Sequence, residues 1–211
     1  MPTPFPLYLI TDRHQTAGRP LLDVVGEALA GGVRGVQLRE KDLPPRELLE
    51  LAHALRELTG RFGARLLVND RVDIALAAKA DGVHLGEASI PADAARRLLG
   101  PERLIGVSCH SLAGARGAEE RGADFITFGP VFFTPSKASY GPPAGVAALA
   151  ETVRAVTLPV FALGGITRDN VAEVVGAGAA GIALISAIGT AESPREAARN
   201  LLSLLPSPSR I

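Results

Sequence analysis

Three side chains at alternate positions, Gln37, Arg39 and Lys41, offer an amide, a guanidinium and an ammonium from one short stretch of chain. Such a set suits a phosphorylated ligand, because arginine meets two phosphate oxygens with a planar fork and lysine adds a mobile point charge. Glu40 and Asp42 are interleaved with them, so the opposing reading is a solvated loop whose charges cancel. Asn69-Asp70 supplies an amide and a carboxylate. The aspartate could bind Mg²⁺, which takes one or two carboxylates and completes its shell with substrate phosphates. Both residues also serve well as helix N-caps. Gly164-Gly165 and Ile185-Ser186-Ala187 offer backbone N–H groups to a second anion, and glycine lets the ligand approach the chain closely. The stretch 129–143 carries Thr134, Ser136 and Lys137, two hydroxyls and an ammonium suited to a phosphate-contacting loop; proline stiffening is the alternative. Cys109 stands between Ser108 and His110. Neighbouring residues of a strand face opposite ways, so Cys109 and His110 are no catalytic dyad; Cys109 reads as a small buried hydrophobe. Ser108 and His110 share the other face. His84 reads equally as an acid or base and as a core histidine, and His14 and His53 as surface residues.

These polar groups share one placement: each closes an apolar run. Period and punctuation put strands at Leu7–Asp12, Gly35–Glu40, Arg65–Asp70, Gly82–Gly86, Leu104–His110, Phe125–Val131, Pro159–Gly165 and Gly181–Ile188. Helices follow from near Pro20, Pro44, Arg71, Pro91, Ser111, Gly145, Thr167 and Ser193, with prolines or small polar residues at their starts. Strand-then-helix units in one direction predict an α/β chain folded as a compact, single-domain (β/α)₈ TIM barrel over residues 1–211. The carboxyl ends of its strands would form one mouth, where such barrels place their chemistry. Strand parity then turns Gln37 and Arg39 towards the axis and Val36 and Leu38 towards the helices. With 22 basic and 22 acidic residues the chain has no basic excess, which argues against nucleic acid as a partner. No apolar run reaches the ~20 residues of a membrane span, and the first residues lack the pattern of a signal peptide. One cysteine excludes an internal disulfide and fits a reducing cytoplasm. Phosphorylated small molecules are the expected partners, with a homo-oligomer as one alternative to a monomer.

The strings Gln37-Leu38-Arg39-Glu40-Lys41, Val68-Asn69-Asp70-Arg71-Val72-Asp73, Ala80-Asp81-Gly82-Val83-His84-Leu85-Gly86, Ile105-Gly106-Val107-Ser108, Phe128-Gly129-Pro130-Val131-Phe132, Gly164-Gly165-Ile166 and Ile185-Ser186-Ala187-Ile188 come in an order and spacing that resemble the thiamine phosphate synthases and their sister group, the thiazole tautomerases. The synthase resemblance implies coupling of 4-amino-5-hydroxymethyl-2-methylpyrimidine diphosphate to 4-methyl-5-(2-hydroxyethyl)thiazole phosphate, with loss of diphosphate. It implies pyrimidine diphosphate contacts at Gln37, Arg39 and Lys41, diphosphate contacts at Asn69, Ser108 and Lys137, and a Mg²⁺ ligand at Asp70. Thr134 and Ser136, with the backbone of Gly165, Ile185 and Ser186, match thiazole-phosphate contacts. Arg39, Lys41 and Lys137 would act on the reacting diphosphate. Two departures stand out. Gly86-Glu87-Ala88-Ser89 replaces the synthases' usual Gly-Gln-Glu-Asp, putting Ser89 where a second Mg²⁺ aspartate is expected. Pro130 stands where the histidine associated with the tautomerases follows the sixth-strand glycine. The alternatives are therefore a tautomerase acting on thiazole carboxylate phosphate and a non-catalytic barrel that senses a thiamine precursor.

Overall fold

The computed structural model describes residues 5–134 and 141–206. In chain order its elements are β1 (Leu7–Ile10), α1 (Leu21–Ala30), β2 (Gly35–Leu38), α2 (Pro45–Arg61), β3 (Arg65–Asn69), α3 (Val72–Ala77), β4 (Gly82–Leu85), α4 (Ala92–Leu99), β5 (Leu104–Cys109), α5 (Leu112–Glu120), β6 (Phe125–Phe128), α6 (Gly145–Ala155), β7 (Val160–Leu163), α7 (Val171–Gly176), β8 (Gly181–Leu184), α8 (Ser186–Gly189) and α9 (Pro194–Leu202). The strands pair in sequence order, all parallel, and β8 closes on β1. This is the expected (β/α)₈ barrel.

Alternation along each strand separates two apolar layers. Outward residues such as Leu9, Val36, Leu38, Leu66, Val68, Val83, Ile105, Ile126 and Ile182 pack with the helices. Inward residues Tyr8, Leu67, Phe125, Phe161 and Ala183 pack with Phe5 inside the barrel. The rings of Phe5, Tyr8, Phe125 and Phe161 meet at centroid distances of 5.3–6.3 Å and fill the amino-end half of the interior. Gly35 makes room for them, since a Cβ there would lie 2.5 Å from the Phe5 ring. Aromatic bulk against glycine plugs the barrel below, and polar inward residues are left for its upper end.

All but one of the strands begin where expected, the seventh at Val160 instead of Pro159, and every one stops earlier than expected. The terminal polar residues and glycines turn out of the ladder into the mouth. The largest correction is at the eighth strand, expected to Ile188 but ending at Leu184. Ile185 leaves the strand conformation at φ −115° and ψ −84°, and Ser186–Gly189 form the short helix α8. The seventh helix begins at Val171, later than the expected Thr167, because Thr167 N–H donates to Asn170 Oδ1 at 2.8 Å in a polar turn. Elsewhere the proline and serine signals hold: Ser111 caps α5 by accepting from Gly114 N–H at 3.1 Å, and Ser193 caps α9 by accepting from Glu196 N–H at 3.3 Å.

Candidate active site

Gln37, the last inward residue of β2, is buried and donates from Nε2 to the Tyr8 hydroxyl at 3.2 Å. Burial holds that phenol far above its ordinary pKa, so it stays a neutral hydroxyl and fixes the amide. Arg39 follows on the same side, its backbone N–H donating to Thr11 Oγ1 at 2.9 Å. The interleaved acids do not neutralise the cations. Arg13 takes both: its backbone N–H donates to Glu40 Oε2 at 3.1 Å, and its guanidinium grips Asp42 at 2.6 and 2.7 Å. Hydrogen bonds from Arg13, then from His14, hold the Asp42 carboxyl well below the usual carboxylate range. Among the described residues, no carboxylate pairs with the Arg39 guanidinium or the Lys41 ammonium. A cationic clamp left without a counter-ion is suited to an anionic ligand.

Asp70 lies across the mouth with φ +59°, a conformation an aspartate tolerates better than most residues. Its carboxylate does not cap α3, whose N-cap is Arg71 without a side-chain bond. Instead Oδ1 accepts from Gly86 N–H at 3.2 Å and from the Ser89 hydroxyl, and Oδ2 from Asn69 Nδ2 at 2.7 Å. The N-cap alternative for Asn69-Asp70 is thus not realised, and Ser89 sits against Asp70. Among the described residues no cluster of three or more His, Cys, Asp or Glu side chains is placed to hold a metal.

Ser108 is inward on β5, and its Oγ lies 3.0 Å from His84 Nε2 and 3.4 Å from Thr127 Oγ1. Burial pushes the His84 imidazole down to about 3, so it is neutral, which favours the core-histidine reading over an acid or base. Cys109 faces outward and is buried; desolvation pushes its thiol up to about 12. His110 shares the Ser108 face, and its Nδ1 lies against Gly129 O. His14 and His53 are exposed.

A cavity of about 630 Å³ occupies the side of the mouth over β6–β8, lined by His110, Gly129, Thr134, Gly165, Ile185 and Ser186 among others. Its floor combines the loops after β7 and β8 with the start of α8, the arrangement many barrels use for phosphate. The Gly164-Gly165 pair has a packing reason too. Both have positive φ, +98° and +64°, and a Cβ on Gly165 would lie 2.5 Å from Phe133 O. Asn170 steadies this loop by donating from Nδ2 to Gly165 O at 2.9 Å.

The fold thus gathers Gln37, Arg39, Lys41, Asn69, Asp70, Ser108, Thr134, Gly165, Ile185 and Ser186 at the carboxyl ends of the strands. Ser136 and Lys137 lie outside the described residues. Sequence reasoning passed over Thr127, Tyr8, Asn170 and Arg13. Strand parity could have found Thr127, inward two positions after Phe125, whereas nothing local marks Arg13 as the partner of two acids in the next loop.

A family model described as thiamine monophosphate synthase matches residues 7–188. A relative from Geobacter sulfurreducens, provisionally named a thiamine-phosphate synthase, is 68% identical over 206 residues, covering 98% of this chain and 97% of its own length. The thiamine-phosphate synthase of Moorella thermoacetica is 49% identical over 195 residues, covering 92% of this chain and 93% of its own. The solved thiamine phosphate pyrophosphorylase of Pyrococcus furiosus superposes with a TM-score of 0.87 at 42% identity, covering 95% of each chain. On sequence and fold alike, the chain belongs to the thiamine monophosphate synthase family.

Proposed function

We propose that this chain is a thiamine phosphate synthase, a transferase that joins the pyrimidine diphosphate to the thiazole phosphate and releases diphosphate. The observation that carries this reading is the uncompensated pair Arg39 and Lys41, whose neighbouring acids are held away by Arg13. The clamp follows β2 at the same end of the barrel as Asp70 after β3, Ser108 on β5 and the cavity over β6–β8. One mouth thus has groups for two phosphorylated substrates. Gln37, Arg39, Lys41, Asn69 and Ser108 hold the pyrimidine diphosphate. Thr134 and the backbone of Gly165, Ile185 and Ser186 hold the thiazole phosphate. The family resemblance adds Ser136 to the thiazole-phosphate contacts and Lys137 to the diphosphate contacts.

The bond from the pyrimidine methylene carbon to the diphosphate oxygen breaks with its electron pair going to the oxygen, and the thiazole nitrogen lone pair then bonds to the carbon. Arg39, Lys41 and Lys137 act on the charge that develops on the leaving diphosphate, with Ser108 as a further donor to it, because donors aimed at developing charge act with little reorganisation. The donor set at Asp70 and Ser89, one carboxylate and one hydroxyl, fits Mg²⁺ that draws its other ligands from diphosphate and water. When bound, Mg²⁺ supplies positive charge to the leaving group.

His110 at the wall of the cavity supports a second reading, a thiazole tautomerase in which it moves a proton on the thiazole carboxylate phosphate. One experiment separates the two. Purified protein with Mg²⁺ and both substrates should form thiamine phosphate, and His110→Ala should retain most of that rate. No coupling, together with tautomer conversion that His110→Ala abolishes, refutes the synthase. Binding of either substrate without turnover leaves only a sensor.

A further inference from the structure

Beside the half-buried Ser108 lie two buried side chains, His84 and Thr127, to which the proposed chemistry gives no role. His84 is 2% exposed and inward on β4; Thr127 is 1% exposed and inward on β6; Ser108, between them on β5, is the member that reaches the mouth. His84 Nε2 is 3.0 Å from Ser108 Oγ and 3.3 Å from Thr127 Oγ1, and Thr127 Oγ1 donates to Ser108 Oγ at 3.4 Å. The other ring nitrogen, Nδ1, is buried with no hydrogen-bond partner among the described residues. It faces Gly106, where even a Cβ would come within 2.5 Å of it.

That asymmetry selects a tautomer. A neutral imidazole carries one N–H and one lone pair. A proton on Nδ1 would leave a buried donor unmade, and orphaned N–H groups are rarer than under-used acceptors. The proton therefore sits on Nε2 and is donated to Ser108 Oγ. A hydroxyl oxygen has two acceptor sites and one proton. With His84 and Thr127 filling both acceptor sites, the Ser108 hydroxyl has only its donor left to offer.

We propose that His84 is a positioning residue that, with Thr127, saturates the acceptor sites of Ser108 and so commits the Ser108 proton to an anion in the mouth. Burial supports this by keeping the ring uncharged, so it does not itself compete for the anion. The proton's direction follows from the hydrogen bonds alone; that its acceptor is diphosphate rests on the proposed function. Ser108 becomes selective: it favours phosphate oxygens over ligand groups that could only donate to it.

Two measurements test this. Nitrogen-15 NMR of the free protein should show His84 protonated at Nε2, and a ring protonated at Nδ1 overturns the proposal. Titration calorimetry with inorganic diphosphate and Mg²⁺ should show His84→Met weakening binding about three- to tenfold, the worth of one hydrogen bond. His84→Gln, whose amide N–H can stand in for Nε2–H, should stay within about twofold of wild type. In a Ser108→Ala background, His84→Met should cost nothing further. An equal loss in both backgrounds, or wild-type affinity in folded His84→Met, overturns the proposal. If His84→Met does not fold, Thr127→Val takes its place in the same cycle, with the same criteria. Wild-type protein that forms no thiamine phosphate would refute the proposed function without touching these results. Wild-type protein that binds no inorganic diphosphate would refute the assigned acceptor, and the tautomer would then decide the hydrogen-bond pattern alone.

Discussion

Replacing His84 with glutamine should make the fold less sensitive to mild acid. In the unfolded chain the imidazole takes up a proton near its ordinary pKa of 6.5, whereas burial delays this in the folded protein to about 3. A depressed folded pKa means that stability is fully present above the unfolded value and is lost as the pH falls towards the folded one. The window is therefore pH 6.5 down to 3. For these two values the loss between pH 7 and pH 5 is about 2 kcal/mol, a sizeable part of the ~5–15 kcal/mol that holds a domain together. His84→Gln has no proton to gain, and every carboxylate ion pair, Arg13–Asp42 included, titrates alike in both proteins. Urea unfolding followed by circular dichroism at pH 7 and pH 5 gives the four free energies required. The wild type should lose about 2 kcal/mol more than His84→Gln over that interval. Equal losses would show that the buried ring is protonated without penalty, and the neutral-imidazole argument would fail.

Arg39→Ala should slow thiamine phosphate formation at least ~100-fold, since a donor to developing charge is worth ~2.7–4 kcal/mol of barrier; a loss under tenfold in steady-state turnover would contradict its role. Arg13→Ala should raise the KM for the pyrimidine diphosphate about two- to fivefold, the worth of an exposed ion pair, because Asp42 is freed to compete for the clamp while the backbone N–H at position 13 keeps its hold on Glu40; an unchanged KM refutes this. Ser89→Asp brings a second carboxylate against Asp70, and without Mg²⁺ the repulsion of about 1 kcal/mol at a solvated site should lower the melting temperature by about 2–4 °C. Added Mg²⁺ should reverse that fall, and a melting temperature indifferent to Mg²⁺ would exclude Asp70 and position 89 as its ligands.

Much of this architecture was legible because a parallel strand buried on both faces still obeys period two. Val36 and Leu38 pack outward and Gln37 turns inward, as alternation alone requires. Strand ends were less legible, since Ile185-Ser186-Ala187-Ile188 reads as a continuation of β8 while the backbone turns at Ile185 to start α8. Thr127 was hidden by its setting in Phe125-Ile126-Thr127-Phe128, an apolar run in which one hydroxyl carries little pattern signal. The charge balance around Arg39 was out of reach for a different reason. Whether Glu40 and Asp42 cancel the clamp depends on Arg13, 27 and 29 residues away in sequence, and only the β1–β2 pairing brings that side chain over.

The diversion of Glu40 and Asp42 to Arg13 separates what the mouth shows at close range from what it shows at a distance. A ligand in contact meets Arg39 and Lys41 undiluted. A molecule farther off than the screening length, about 8 Å in physiological salt, meets alternating charges that nearly cancel, on a chain whose formal net charge is zero. Long-range steering of the kind that speeds association is therefore weak here. Capture depends on encounters that already bring the phosphate into the mouth, and added salt should slow arrival far less than it loosens the bound complex. The same cancellation offers no extended field to large polyanions, so the strong cationic grip needed for a small diphosphate does not make this surface generally adhesive.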